Sequence, residues 1–419
     1  MRRTALATVL AAGLAGAMFL TACGGSSGGN ADPGTVVFWD TSGPNEHPVF
    51  KRLAEQCATE GGYRVQVEQV AFDQARNNYK NAAQGGQGPD VFRAEVAWVA
   101  ELAKNGLIMD LSQTNLAHDT ADYLEVPLSS TRYEGKTYGI PQVTDALALF
   151  YNKKTLADSG VEPPKTWDEV KDIAPKLGGT KALFLNNDGY YALPFLYGEG
   201  GDLLDTQNKK ITVNAEQAVQ GVRTAKELLD AGAANTALDR TNSYANMQAA
   251  FTSGETAMVI NGPWAVADYL RGDAFKDDPD NLGIALVPGP AEGKSSSPVG
   301  GHNYVIRQGT GAKDAAQQFI RCMSSSESQV TVAKELGLLP TRKSALEHPE
   351  VKAQPVVAAF APVLERAHAR PWIPEGGQLF DPLNIAYSDV LSGKKDARTA
   401  LDEVARIYKE QIITGYAQG

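Results

Sequence analysis

Apolar positions recur along this chain in two alternating rhythms. Residues 35–39 form a short apolar run and predict a buried strand. Helical spacing follows at 49–58, and Tyr63, Val65 and Val67 alternate with polar residues as a half-buried strand does. The pattern then predicts a helix at 74–83, a strand at 89–92 after a glycine-rich turn, and a helix at 95–104 closed by Asn105-Gly106. Strands alternating with helices point to an α/β fold with a mostly parallel sheet. Beyond this the rhythm changes. Residues 137–140 and 146–151 are strand-like, with 141–145 as the joint between them. A helix is predicted from 167 to about 177, with Thr166 as its N-cap. An amphipathic helix at 215–229 and strands at 255–261, 283–287 and 302–307 follow, and helices dominate from Lys313 onward.

The N-terminus changes the picture first. Arg2 and Arg3 precede a small and apolar stretch at 5–20, followed by Leu20-Thr21-Ala22-Cys23-Gly24. That order reads as a secretory signal, too short for a membrane span of about 20 apolar residues. Small residues before Cys23 resemble a bacterial lipobox, which implies cleavage after residue 22 and a lipid-anchored Cys23 on the extracellular face of the cytoplasmic membrane. Residues 24–34 carry no aromatic and no large aliphatic side chain and read, with Cys23, as a flexible tether. The mature 397 residues suffice for two lobes.

Loss of Arg2 and Arg3 takes 39 basic residues to 37, against 49 acidic ones, for a net charge of −12. Such a surface excludes nucleic acid as a partner. The five histidines are scattered without paired ligand spacing, so no metal site is expected. Beyond Cys23 the chain holds Cys57 and Cys322. Outside the membrane thiols tend to pair, and a Cys57–Cys322 disulfide and two separately buried thiols both stay open.

Six motif groups run in order along the chain. Pro89-Asp90-Val91-Phe92 leads to Trp98, Leu102, Gly106, Leu107 and Asp110-Leu111-Ser112. Tyr138-Gly139-Ile140-Pro141 is followed by Asp145, Leu149 and Tyr151-Asn152-Lys153. Pro164-Lys165-Thr166-Trp167-Asp168-Glu169 comes next, then Phe251, Ser253-Gly254-Glu255, Ala257-Met258 and Asn261-Gly262-Pro263-Trp264. Gly300-Gly301-His302-Asn303 and Leu339-Pro340-Thr341-Arg342 complete the set. Together these segments resemble the extracellular solute-binding proteins of ABC transporters of the maltose-binding type, closest to actinobacterial maltose and maltodextrin-binding lipoproteins. The resemblance implies a two-lobed α/β periplasmic-binding-protein fold with a multi-strand hinge and an interlobe cleft. Carried over, 35–143 and 299–343 form lobe one, and 147–295 and 347–419 form lobe two. Cys57 and Cys322 then share lobe one, which favours their pairing. The resemblance further implies a monomer without cofactor or catalysis. It would bind a maltose or maltooligosaccharide-type carbohydrate by hinge closure and pass it to the permease subunits of an ABC importer. An acarbose-like pseudo-oligosaccharide or a monosaccharide such as galactose is the alternative ligand, and an extracellular glycosidase the rival class. The chain has no GxxxxGK[ST] loop, so the ATPase is a separate chain.

A sugar offers hydroxyls at its edges and C–H patches on its faces, so its site needs charged or amide partners and flat rings. Asp40, at the end of the first strand, either accepts ligand hydroxyls or caps a turn. Asp73 and Arg76 lie past the second strand, and Arg93, Glu95 and Trp98 follow the third. Glu95 also suits a first helical turn, and Trp98 also suits a core. Asp145 lies between apolar strand ends, where a carboxylate is costly without partners, and the family places a ligand carboxylate there. By the match, Asp188 and Tyr190 are second-lobe contacts, with Tyr197 and Glu199 beside them, and Trp264 stacks on a sugar ring. His302 and Asn303 lie near the hinge. A late loop brings Trp372, Glu375 and Phe380, the last standing where the best-known maltose binder has tryptophan.

Overall fold

The computed structural model describes residues 34–419. The expected signal peptide (1–22), lipidated Cys23 and the 24–33 part of the tether lie outside the described residues.

Strand β1 (Thr35–Asp40) alternates as its sequence requires, with Val36 and Phe38 fully buried. It pairs in parallel with β2 (Arg64–Gln69) on one side and β3 (Val91–Glu95) on the other. In β3 consecutive residues are buried on opposite faces: Val91 packs with Phe38, Phe50 and Phe319, while Phe92 packs with Tyr79, Trp98 and Val305. A strand covered on both faces need not alternate, and here even Arg93 is buried. The sheet continues antiparallel through β10 (Ser297–Ile306), β4 (Ile140–Ala146) and β11 (Leu339–Pro340).

A second, five-stranded sheet runs β7 (Ala234–Thr236), β6 (Lys181–Leu185), β8 (Thr256–Asn261), β5 (Ala148–Asn152) and β9 (Leu282–Ala285). Its core includes Leu149, Phe150, Phe195 and Phe251, and the C-terminal helices Phe380–Leu391 and Ala397–Ile407 add Leu383, Tyr387 and Leu401 to it. Thr166 caps the helix Trp167–Ile173, accepting from the Glu169 N–H at 3.2 Å.

Three expectations are corrected. The sheets are mixed rather than mostly parallel, since antiparallel pairs occur in both. Arg93 and Glu95 lie within β3 rather than after it. Residues 141–145 do not join two strands; β4 runs through them, and the break falls at Leu147. Asp145 therefore sits within a strand rather than between strand ends. Proline survives there because β4 and β10 shift register at that point. His302 pairs with Val143 but Asn303 with Pro141, so the ladder is irregular where the N–H is missing.

The two sheets meet where β4 passes directly into β5 and where β10 begins. The Leu147 N–H donates to Ser297 Oγ at 2.6 Å, tying these two crossings together. At the start of β10, Ser297 and Pro298 pair in parallel with β12 (Ala367–His368), which leads to the loop beginning at Arg370. This multi-strand connection forms the hinge of a two-lobed periplasmic-binding-protein fold. Cys57, on the helix His47–Gly61, is disulfide-bonded to Cys322, on the helix Lys313–Met323, with Cα atoms 5.7 Å apart.

Candidate functional site

The ends of β1 and β3 reach elements beyond the first sheet: Asn45 bonds Asp268 of the helix after β8, and Glu95 pairs with Arg370 of the loop after β12. Ligands of open α/β sheets bind in the crevice outside such strand ends. At the centre stands Arg370, which is buried and whose guanidinium Nε donates to the Val299 carbonyl at 2.9 Å. Its Nη2 is ion-paired with Glu95. The same guanidinium lies 5.4 Å from the ring centre of Tyr190, 5.7 Å from Trp372 and 5.8 Å from Phe380. Tyr190 and Phe380 are 6.3 Å apart in a tilted pair.

Asp145 lies beside this group with 7% of its surface exposed. Burial raises its carboxyl to about 7; Arg370 and Arg93 oppose the shift, and Glu95 and Glu46 add to it. A methyl at Gly300 would collide with Asp145 Oδ1 and crowd the Tyr190 hydroxyl. Glycine at 300 is what lets both polar groups stand over the hinge strand. Burial also raises Tyr190, and the neighbouring Asp145 carboxylate pushes it further.

On the first-sheet side, Arg93 donates from Nε to Gln142 at 2.8 Å and from Nη1 to Thr41 at 3.2 Å. Trp98 stacks parallel to Phe92 at 6.0 Å and carries Phe72 on its other flank at 5.2 Å. His302 lies 6.0 Å from Phe72, and both its ring nitrogens are buried without a hydrogen-bond partner. Burial and the two nearby arginines, Arg93 and Arg370, hold its pKa well below the ordinary histidine value. A neutral ring can both donate and accept.

Other named residues sit differently. Asp40 is fully buried, and its carboxylate is held by the Ser42 N–H and hydroxyl and by His47 Nδ1 at 2.7 Å. Asn303 is buried within the sheet and donates to Ser130 Oγ at 3.0 Å. Asp188 caps the turn that presents Tyr190, accepting from its N–H at 2.8 Å. Burial raises the Asp188 pKa, and Asp73 from the other lobe adds to the shift. Asp73 is exposed at the start of the helix Phe72–Gln84. Arg76 lies 4.0 Å from Glu101 and packs over Gly377. Glu375 pairs with Lys104 at 2.6 Å on the rim, and Trp372 Nε1 donates to Ser129 at 3.1 Å. Tyr197 is buried against His368, with ring centres 4.5 Å apart, and burial raises Glu199. Trp264 lies over Gly262, packs against the cores of both sheets, and donates from Nε1 to the Tyr244 hydroxyl at 3.0 Å.

Four residues of this cleft escape the sequence reading. Arg370 is visible only as the first residue of the late loop. Glu46 is buried and raised by that burial, with its carboxylate accepting from the Gly43 N–H at 3.0 Å. Phe72 and Tyr244 sit on helices as ordinary apolar residues would; nothing in their spacing marks them as rim aromatics. Among the described residues no cluster of three or more His, Cys, Asp or Glu is placed to hold a metal ion. No helix among them is long and apolar enough to cross a membrane.

Residues 52–359 match the family model described as bacterial extracellular solute-binding protein. The chain is 26% identical to the maltotriose-binding protein of Pyrococcus abyssi over 91% of this chain and 82% of that one. It is 25% identical to a maltooligosaccharide ABC transporter solute-binding lipoprotein of Streptococcus pneumoniae, covering 97% of each. Among solved structures, the GacH receptor of Streptomyces glaucescens, determined unliganded and with acarbose, superposes with a TM-score of 0.87 at 42% identity, over 91% of this chain and 99% of that one. The maltotriose-bound maltotriose-binding protein of Thermus thermophilus superposes at 0.79 with 25% identity, over 90% of this chain and all of the other. This chain belongs to the family of bacterial extracellular solute-binding proteins.

Proposed function

We propose that this protein is the extracellular receptor of an ABC importer for a maltooligosaccharide-type carbohydrate. The observation that carries the reading is the cluster of aromatic rings and carboxylates gathered around Arg370. It offers polar groups for hydroxyls (Glu95, Asp145, Arg370) and aromatic rings for sugar faces (Tyr190, Phe380, Trp372). Charge-assisted bonds of this kind strengthen when water is excluded. Residues 35–143 with 299–343, and 147–295 with 347–419, act as the two lobes, and ligand bridging them shifts the hinge towards closure. The permease then reads the closed shape, and a separate ATPase drives transport. The monomeric receptor is held at the outer face of the membrane through lipidated Cys23.

Calorimetry against maltose, maltotriose, maltotetraose, acarbose and galactose tests this. Heat with an α-glucan is expected, and none with any sugar would sink the reading. Acarbose is the second ligand class to weigh, because the relative solved with it shares 42% identity over nearly the whole chain. Hydrolysis is not expected, since Glu95 is held by Arg370 and by the Ala97 N–H at 2.9 Å. Shorter sugars appearing from maltotetraose would overturn that.

A further inference from the structure

Phe72 opens the helix Phe72–Gln84, yet its ring is not packed into that helix's own buried face, where Ala75 and Tyr79 lie. It is 45% exposed, an unusual fraction for a phenylalanine among the described residues. Its position is nonetheless fixed. One side lies against Trp98 at 5.2 Å with planes 31° apart, and the His302 ring meets it edge-on at 6.0 Å. Trp98 is itself clamped on Phe92 at 6.0 Å with planes 11° apart, so Phe72 ends a stack rooted in the core. Beside it, Asp73 is close enough to the second lobe's Asp188 to raise that carboxyl. Phe72 therefore stands at the mouth of the cleft, outside the cluster around Arg370.

Two features of this corner have no use in the protein alone. An exposed aromatic face held rigid on a tryptophan leaves its apolar area in water, which costs free energy in proportion to that area. The two ring nitrogens of His302, buried with no partner, leave a donor and an acceptor unsatisfied. A pyranose ring answers both, with C–H groups for the phenyl face and hydroxyls for the imidazole.

We propose that Phe72, backed by Trp98 and His302, forms an outer subsite that stacks a sugar ring beyond those held at the Arg370 cluster, so that the cleft selects longer oligosaccharides over short ones. The inference rests on the carbohydrate reading above and adds a determinant of chain length. Tyr190, over the hinge strand at Gly300, affects every ligand alike, whereas Phe72 acts only on a chain long enough to reach the rim.

Calorimetry on the full chain with glucose, maltose, maltotriose, maltotetraose and acarbose tests it. Wild-type affinity is expected to rise with chain length until the outer subsite is filled, then level off. Phe72→Ala is expected to lose about three- to tenfold in affinity for the longer chains and to leave the shortest binder unchanged. Phe72→Trp, which keeps a flat face, is expected to retain the length dependence, and a thermal unfolding curve confirms that each variant is folded. Wild-type affinity that does not vary with length, or a Phe72→Ala loss equal for all ligands, overturns the outer subsite while leaving the sugar receptor standing. No binding of any of these sugars overturns both.

Discussion

Arg370 and Glu95 form an ion pair between the loop that follows β12 and the end of β3, with side chains 5% and 12% exposed. Such a pair recovers its desolvation only through near-complete hydrogen bonding, and removing one member strands the other. Here Glu95 also accepts from Ala97, and Arg370 also donates to Val299. Arg370→Ala therefore leaves a buried carboxylate beside Asp145 and removes the cation shared by Tyr190, Trp372 and Phe380. The expected result is a loss of roughly 3–5 kcal/mol in stability, read by chemical denaturation, with sugar affinity falling more than about tenfold. The double variant Glu95→Gln with Arg370→Met removes both charges and is expected to regain most of the stability but not the affinity. Wild-type behaviour of Arg370→Ala in both measurements would remove Arg370 from the site.

Trp264 offers a different test, because its ring bridges structural units rather than charges. It covers Gly262, where any side chain would collide with it, and touches the cores of both sheets. The Tyr244 hydroxyl, pushed up to about 12 mainly by burial, stays neutral and accepts from the indole N–H. Trp264→Ala is expected to weaken sugar binding by at least about tenfold, near 1.4 kcal/mol. Trp264→Phe keeps a flat face without the N–H and is expected to lose less. Calorimetry on the folded variants reads both, and unchanged affinity for the alanine variant refutes the stacking role.

How much of this was legible in the sequence depends on the kind of signal. β1 alternates and the 216–230 helix is amphipathic, so both stand out locally. β4 did not, because Pro141 reads as a breaker and its tolerance depends on a register shift with β10, some 160 residues away. Asp145 and Tyr190 were visible through the family pattern, but their common dependence on Gly300 is three-dimensional. Arg370 lay in a loop already noted for its aromatics. Its central place could not be read, since Glu95 is 275 residues distant in sequence. Asp40 shows the converse. An aspartate at a strand end suits either a ligand or a turn, and only its Ser42 and His47 partners show where its oxygens are engaged.

The Cys57–Cys322 disulfide closes a sequence separation of 265 residues and ties two helices that flank the first sheet. In a chain-entropy account a loop that long contributes up to about 5 kcal/mol by restricting the unfolded chain. The soluble chain beginning after the tether contains only these two cysteines. Denatured without reductant it is expected to show no free thiol, and two after reduction, with a lowered unfolding midpoint in reductant. Two free thiols in the unreduced sample would rule the bond out.

Asp145 makes the sharpest pH prediction. Its carboxyl rises from 3.8 to about 7, chiefly through burial. Between those values the folded chain holds a proton that the unfolded chain has released. Stability therefore falls as pH rises through that window, and the loss is complete above about pH 7. At about 1.4 kcal/mol per unit the effect amounts to a few kcal/mol. His302 works in the opposite direction: buried neutral, it costs stability as pH drops below its unfolded value near 6.5. Comparison with Asp145→Asn at each pH isolates the carboxylate. The asparagine variant without ligand is expected to match wild type near pH 4 and to unfold several degrees higher at about pH 8, measured by thermal denaturation. A difference between the two proteins that stays constant across this range would mean that Asp145 does not titrate in the cleft as its burial requires.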